Sequence, residues 1–394
     1  MKKPDFKDFL GTKLSKLAED GLYRNLSTIS RSKPPYVIYN GKKVVQMSSN
    51  DYLNLSNDER LIEAAVRAAQ KYGIGSTGSR LISGTHPLHT ELEEKIAALK
   101  NTERALVFST GYAANYGCLT ALLTDKDAVY SDELNHASII DGIKTSKAEK
   151  FIYKHSSAEE LERLLSENSH KYRLNLIVTD SIFSMDGDRA LLAEIAALKE
   201  KYGAVLMIDD AHAFGIYGSN GEGLGHELGI QDKIDIHMGT LSKAAGSEGG
   251  YIAGSKELIE YLINKSRSFI YSTAPSIPSI AASIKAVEII KTDKHLREKL
   301  HKNINYFKTG FEAIKIRNNI NIGSCESAIF CVKIPDSGRT MDLSAGLLEE
   351  YGIIAAAIRP PTVRDSRLRV TVSAAHEFSH LEYFLDKLCL LNPV

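Results

Sequence analysis

Apolar and polar positions along this chain follow two rhythms. Short apolar runs closed by polar or turn residues alternate with longer segments whose apolar residues recur at helical spacing. The short runs predict buried strands at Ala105–Phe108, Ala128–Ser131, Leu176–Asp180 and Ala204–Asp209, with a further one near Ile234–Met238. The helical spacing predicts helices at 5–20, Leu61–Tyr72, His89–Lys100, Tyr112–Leu123, Ala158–Ser166, Leu191–Tyr202 and Ile280–Thr292. Strand and helix in alternation argue for an α/β fold with a mainly parallel central sheet covered on both faces. The stretch running through Pro34–Pro35 reads as irregular. Beyond about residue 290 the order becomes helix, strand (Ala328–Ile334), helix, strand, strand (Leu368–Val372), helix. The expected organisation is therefore an N-terminal helix and arm over 1–55, a large α/β domain over 56–290 and a small α+β domain over 291–394.

Charge narrows the partners. The 394 residues carry 49 Lys+Arg and 49 Asp+Glu, so no net field favours nucleic acid or an acidic membrane surface. An anion must be caught by a local site. Apolar runs such as Ile353–Ile358 are too short to span a bilayer, and the polar opening Met1–Asp8 is no signal peptide. Cys118, Cys325, Cys331 and Cys389 show no CxxC spacing and are expected to be reduced thiols of a cytoplasmic protein, without a metal site.

Gly73-Ile-Gly75-Ser-Thr-Gly78 fits the dinucleotide motif letter for letter. That motif needs a strand before it and a helix starting on it, and here a helix comes first. The glycines read instead as a flexible loop near a site or as a tight turn.

Three other pieces carry chemistry. Ser109-Thr-Gly111-Tyr112 joins a strand end to a helix, where free backbone N–H groups and the helix dipole can seat a phosphate; such a glycine can equally be a plain turn. Asp209-Asp210-Ala211-His212 lies at the carboxyl end of a strand, where open α/β sheets bind ligands, or forms a capping turn. Thr240-Leu-Ser242-Lys243-Ala-Ala-Gly246 sets a lysine among small residues, open to close approach by a planar group. Together they suit pyridoxal 5′-phosphate (PLP). Asp209 would face the pyridinium nitrogen, His212 the ring hydroxyl, and Lys243, its amine made reactive by desolvation, would carry the Schiff base. His136 and Ser184 follow two further strand ends, so four consecutive strands each end in a useful polar group.

In chain order, SerSerAsnAspTyrLeu (48–53), GlySerArgLeuIleSerGlyThr (78–85), LeuAsnHisAlaSer (134–138), PheSerMetAspGlyAsp (183–188), AspAspAlaHis (209–212), ThrLeuSerLys (240–243), TyrSerThr (271–273) and SerAlaAlaHis (373–376) resemble the motifs of the α-oxoamine synthases. These are fold-type I, aspartate aminotransferase-like, PLP-dependent transferases. The resemblance runs from Gly21 to His376. SerThrGlyTyrAlaAlaAsn (109–115) and AlaIleArgProProThrVal (357–363) are similar to the branch that serves biotin biosynthesis.

The resemblance implies that Lys243 anchors PLP, Asp209 pairs with its ring nitrogen and His136 stacks on the ring. Ser184 and His212 would address the ring hydroxyl, with Gly111, Tyr112 and Thr240 around the phosphate. Thr273 would reach the phosphate of a neighbouring subunit in a homodimer with shared active sites. Arg369 would hold the amino-acid carboxylate, with Arg367 its rival on the same strand face, and Arg24, Asn50 and Thr362 would be further substrate contacts. The implied substrates are L-alanine and an acyl thioester, pimeloyl-CoA or pimeloyl-acyl carrier protein. The alternatives are a 2-amino-3-ketobutyrate ligase, a long-chain amino-ketone synthase, or a non-catalytic partner subunit of the same fold. The chain departs from the family in ValArgAspSerArgLeuArg (363–369), a shortened loop at the substrate site without the usual Pro or Gly, and in AlaPheGly (213–215).

Overall fold

A computed structural model describes residues 5–318 and 321–391, so Met1–Pro4 of the expected polar opening lie outside the described residues. Its centre is a seven-stranded sheet. From one edge to the other the strands are Arg104–Phe108, Gly250–Gly254, Ile236–Thr240, Val205–Asp209, Asn175–Asp180, Ala128–Asp132 and Glu149–Tyr153. Gly250–Gly254 runs antiparallel to both neighbours, and the remaining pairs are parallel.

The apolar runs explain the layering. Successive side chains of a strand point to opposite faces, so Leu206 and Ile208 enter one core and Met207 the other. Helices Pro87–Lys100, Ala158–Asn168, Leu192–Tyr202 and Ile277–Thr292 close the first face. Helices Gly111–Leu122, Ala137–Ser146 and Lys256–Lys265 close the second. Burial on both faces is why these strands read as continuous apolar runs.

Several strands lie outside the sequence reading, the sheet-edge strand Glu149–Tyr153 among them. The irregular stretch around Pro34–Pro35 holds three strands, Ile29–Arg31, Tyr36–Tyr39 and Lys42–Gln46, and the last pairs in parallel with Ile353–Ile354. Gly250–Gly254, which is not among the expected strands, is a fully buried strand. Glycine there serves close approach: a Cβ on Gly250 would lie 2.5 Å from Gly111 Cα. Toward the C-terminus, Ile329–Lys333, Arg367–Thr371 and Ala356–Ile358 form a separate three-stranded antiparallel sheet. The Gly73 motif follows helix Glu59–Tyr72, with Gly73 as its C-cap at φ +84°, and no strand feeds it.

Candidate active site

At the carboxyl ends of the parallel strands lies a pocket of about 230 Å³, lined by Gly111, Tyr112, His136, Ser184, Asp209, His212, Thr240 and Lys243 among others. The eight come from five segments of the chain, brought together because parallel strands end at one edge.

Each side chain is held locally. His136 is the N-cap of helix Ala137–Ser146; its Nδ1 accepts from the Ser138 N–H (3.2 Å) and its own N–H donates to Asp180 (2.8 Å). Asp209 accepts from the Ala211 N–H (2.8 Å) and from Asn115 Nδ2 (2.7 Å). The Tyr52 hydroxyl bridges Asn50 Oδ1 (3.2 Å) and His212 Nδ1 (2.7 Å), which leaves His212 Nε2 without a protein partner among the described residues. Burial, followed by the charges of Lys243 and Arg369, pushes the His212 imidazole well below its ordinary pKa, so it is neutral. At the end expected to seat a phosphate, Thr110 caps helix Gly111–Leu122 through the Ala113 N–H (3.0 Å), and the Gly111 and Tyr112 N–H groups have no partner among the described residues. Tyr112 itself is exposed and donates to Asp141. The Thr240 hydroxyl lies 2.8 Å from that of Ser242.

Lys243 is half-buried, and its amine makes no hydrogen bond or ion pair among the described residues. Burial lowers its pKa, and Arg369 adds to that against the opposing carboxylates Asp209 and Asp180. A lysine with that tendency and a free amine is a nucleophile and a base.

Arg369 is buried and donates to Ser184 O (2.6 Å) and Asn50 Oδ1 (3.1 Å), both neutral; among the described residues no carboxylate lies within ion-pair range of it. Its rival Arg367 is already paired with Asp186. Arg24 meets Thr362 at 3.5 Å, and Thr362 lines a second cleft of about 840 Å³ together with Arg364 and Asp365 of the shortened loop. Thr273 is exposed, outside both spaces, and bridged to Ser79.

Sequence reasoning passed over Asp180, Asn115 and Tyr52. Asp180 is buried, and burial together with its neighbour Asp209 pushes its pKa well up. Its position at the end of strand Asn175–Asp180 is the signal that marks it. Asn115 lies four residues after Gly111, one helical turn on and on the same face.

In the wall of the second cleft, His155 is clamped between Asp132 (3.0 Å) and Asp188 (2.7 Å). Burial alone would lower its pKa, but the two carboxylates lift it to about 10. The folded value exceeds the ordinary one near 6.5, so the stabilisation is complete below about pH 6.5 and lost as pH rises through about 10. Thermal melts should therefore fall in that window by the equivalent of about 2 kcal/mol, discounted for partial exposure. In His155→Gln the melting temperature should be lower at pH 6 and flatter across the window. Gly250→Ala is expected to push the first turn of helix Gly111–Leu122 away and destabilise the fold by about 1–3 kcal/mol, measurable by denaturant titration.

The family described as aminotransferase class I and II matches residues 42–388. A protein of Microcystis aeruginosa named "Putative 8-amino-7-oxononanoate synthase" is 45% identical over 366 residues, 93% of each chain. A solved serine palmitoyltransferase from S. paucimobilis, with a bound PLP–myriocin aldimine, is 28% identical with a TM-score of 0.92 over 98% of both chains. The crystal structure of 8-amino-7-oxononanoate synthase from Francisella tularensis is 28% identical with a TM-score of 0.75, covering 88% of this chain and 96% of that one.

Proposed function

This chain belongs to the aminotransferase class I and II family, in its α-oxoamine synthase branch, and from that membership we propose that it condenses L-alanine with a pimeloyl thioester, releasing carbon dioxide and a thiol to give 8-amino-7-oxononanoate. Pyridoxal 5′-phosphate is the cofactor. The pocket fits it: an unpartnered amine, a buried carboxylate, a neutral imidazole and two unpaired helix N–H groups surround one small cavity. Bound there, the ring supplies an electron sink for the pair left at Cα when a proton, and later carbon dioxide, departs.

The protein's part is positioning and proton traffic. Asp209, itself fixed by Asn115 and Ala211, holds the proton on the ring nitrogen. The Gly111 and Tyr112 N–H groups with Thr240 take the phosphate, and His136 faces the ring. Ser184 and the free Nε2 of His212 address the ring hydroxyl. Arg369 holds the alanine carboxylate in a bidentate fork. The Lys243 amine takes the Cα proton, the new carbon–carbon bond forms at the thioester carbonyl, the thiol leaves, and Lys243 returns a proton to Cα after decarboxylation.

One observation carries the reading: Arg369 is a buried cation without a protein carboxylate, and its charge is felt at both Lys243 and His212. A substrate carboxylate is the partner it lacks. Arg24 and Thr362, touching each other at the rim, are further contacts for the acyl donor.

A homodimer is part of the proposal. Helix Phe6–Glu19 buries none of its residues, and Phe6, Phe9, Leu10, Leu14 and Leu17 are exposed. A self-complementary partner would cover such a surface and could bring Thr273 to its neighbour's phosphate.

Mass spectrometry of the product from L-alanine and pimeloyl-CoA tests the function, with glycine, serine and longer acyl-CoAs as competitors. The expected product is 8-amino-7-oxononanoate. Exclusive use of glycine, serine or a long-chain donor would refute the assignment while leaving the family intact.

A further inference from the structure

Behind Asp209, on the opposite face of the sheet, lies a charged pair that the reaction does not use. Lys100, the last residue of helix Pro87–Lys100, places its Nζ 2.7 Å from Asp210 Oδ2, with the two side chains 0% and 1% exposed. The same ammonium donates to the Glu222 carbonyl. A lysine fully inside a protein is rare, because its desolvation must be offset by a partner.

The surroundings offer little substitute for that partner. Asp210 Oδ1, Tyr251 Oη, His237 Nδ1 and both ring nitrogens of His226 are buried and have no hydrogen-bond partner among the described residues. The histidines are neutral, since burial and then the Lys100 charge lower both. Burial works to raise the Asp210 carboxyl, and Lys100 overcomes it, so the pair stays ionic.

Asp210 is also the pivot of the turn that faces the pocket. Its N–H donates to Met238 O (2.8 Å), and its carbonyl accepts from Ala213 (2.9 Å) and Phe214 (2.8 Å). Adjacent residues of extended chain point to opposite faces. Holding the Asp210 side chain at the rear therefore fixes the direction in which Asp209 points at the front, and with it the start of the turn that carries His212.

We infer that Lys100 is a positioning residue for the cofactor pocket, locking Asp210 from behind so that Asp209 and His212 keep their places in front. The inference rests on the proposed PLP site. Failure of that proposal would be seen in the unmutated protein, which would then bind no PLP.

The test uses the full chain, stripped of cofactor and titrated with PLP, with absorbance and fluorescence as readouts. Lys100→Met keeps the bulk and removes the charge; the double variant Lys100→Met, Asp210→Asn removes the lock without leaving a bare buried carboxylate. The expected result is PLP affinity weaker by about tenfold or more in each folded variant, with a shifted visible absorption maximum. Should Lys100→Met not fold, the double variant decides. If PLP affinity and the visible maximum of the double variant match those of the unmutated protein, whatever happens to its melting temperature, Lys100 only neutralises Asp210 and the inference falls.

Discussion

Lys243→Ala is expected to lower turnover by about a thousandfold or more, because one substitution removes both the proposed covalent anchor and the proposed base. Two readouts separate those roles. Without the amine, added PLP should bind noncovalently and lack the visible band of the linked cofactor. Exchange of the alanine Cα proton with deuterated solvent, followed by NMR, should stop. A Lys243→Ala protein that still exchanged this proton at the normal rate would place the base elsewhere. The free Lys243 amine and its lowered pKa are what make the expected effect large.

Arg369→Ala should be nearly as damaging, but in a different parameter. A charge-assisted fork to a carboxylate contributes about 2–3 kcal/mol, so kcat/KM for the amino acid should fall about a hundredfold. Much of that loss should appear in KM. Arg369→Lys keeps the charge without the fork and should recover only part of the loss. Arg367→Ala supplies the contrast. Arg367 is engaged with Asp186, so its loss should lower thermal stability while leaving the KM for alanine close to normal. If Arg367→Ala raised that KM and Arg369→Ala did not, the two assignments would have to be exchanged.

This contrast shows where sequence reasoning stops. Arg367 and Arg369 share one face of one strand, and no pattern of residue types separates them. What separates them is Asp186, far away in the sequence, which neutralises one and not the other. The parallel strands were legible for a simple reason: burial on both faces leaves uninterrupted apolar runs, and the site residues follow their ends. Strand Gly250–Gly254 was hidden because its glycines, which permit contact with Gly111, look like a loop. The strands around Pro34–Pro35 are short and only partly buried, so alternation is faint. Lys100 ends a helix, where a lysine ordinarily reads as a solvated charge favourable to the dipole. Its burial depends on Asp210, distant in sequence, and such pairings leave no local trace.

The antiparallel strand Gly250–Gly254 also bears on how the protein is made. Arg104–Phe108 forms one edge of the central sheet, and among the described residues Gly250–Gly254 is its one strand neighbour. A growing chain therefore leaves the ribosome with Arg104–Phe108 waiting, its strand edge open, until the polypeptide has lengthened past Gly254. The proposed phosphate seat beside Phe108 and the lysine loop at Lys243 come into register in that same late event. Such long-range closure slows folding and prolongs the exposure of a sticky edge. Nascent chains ending shortly before Gly250 should therefore be prominent chaperone clients, and their binding should persist until Ile277–Thr292 has been made to cover the first face.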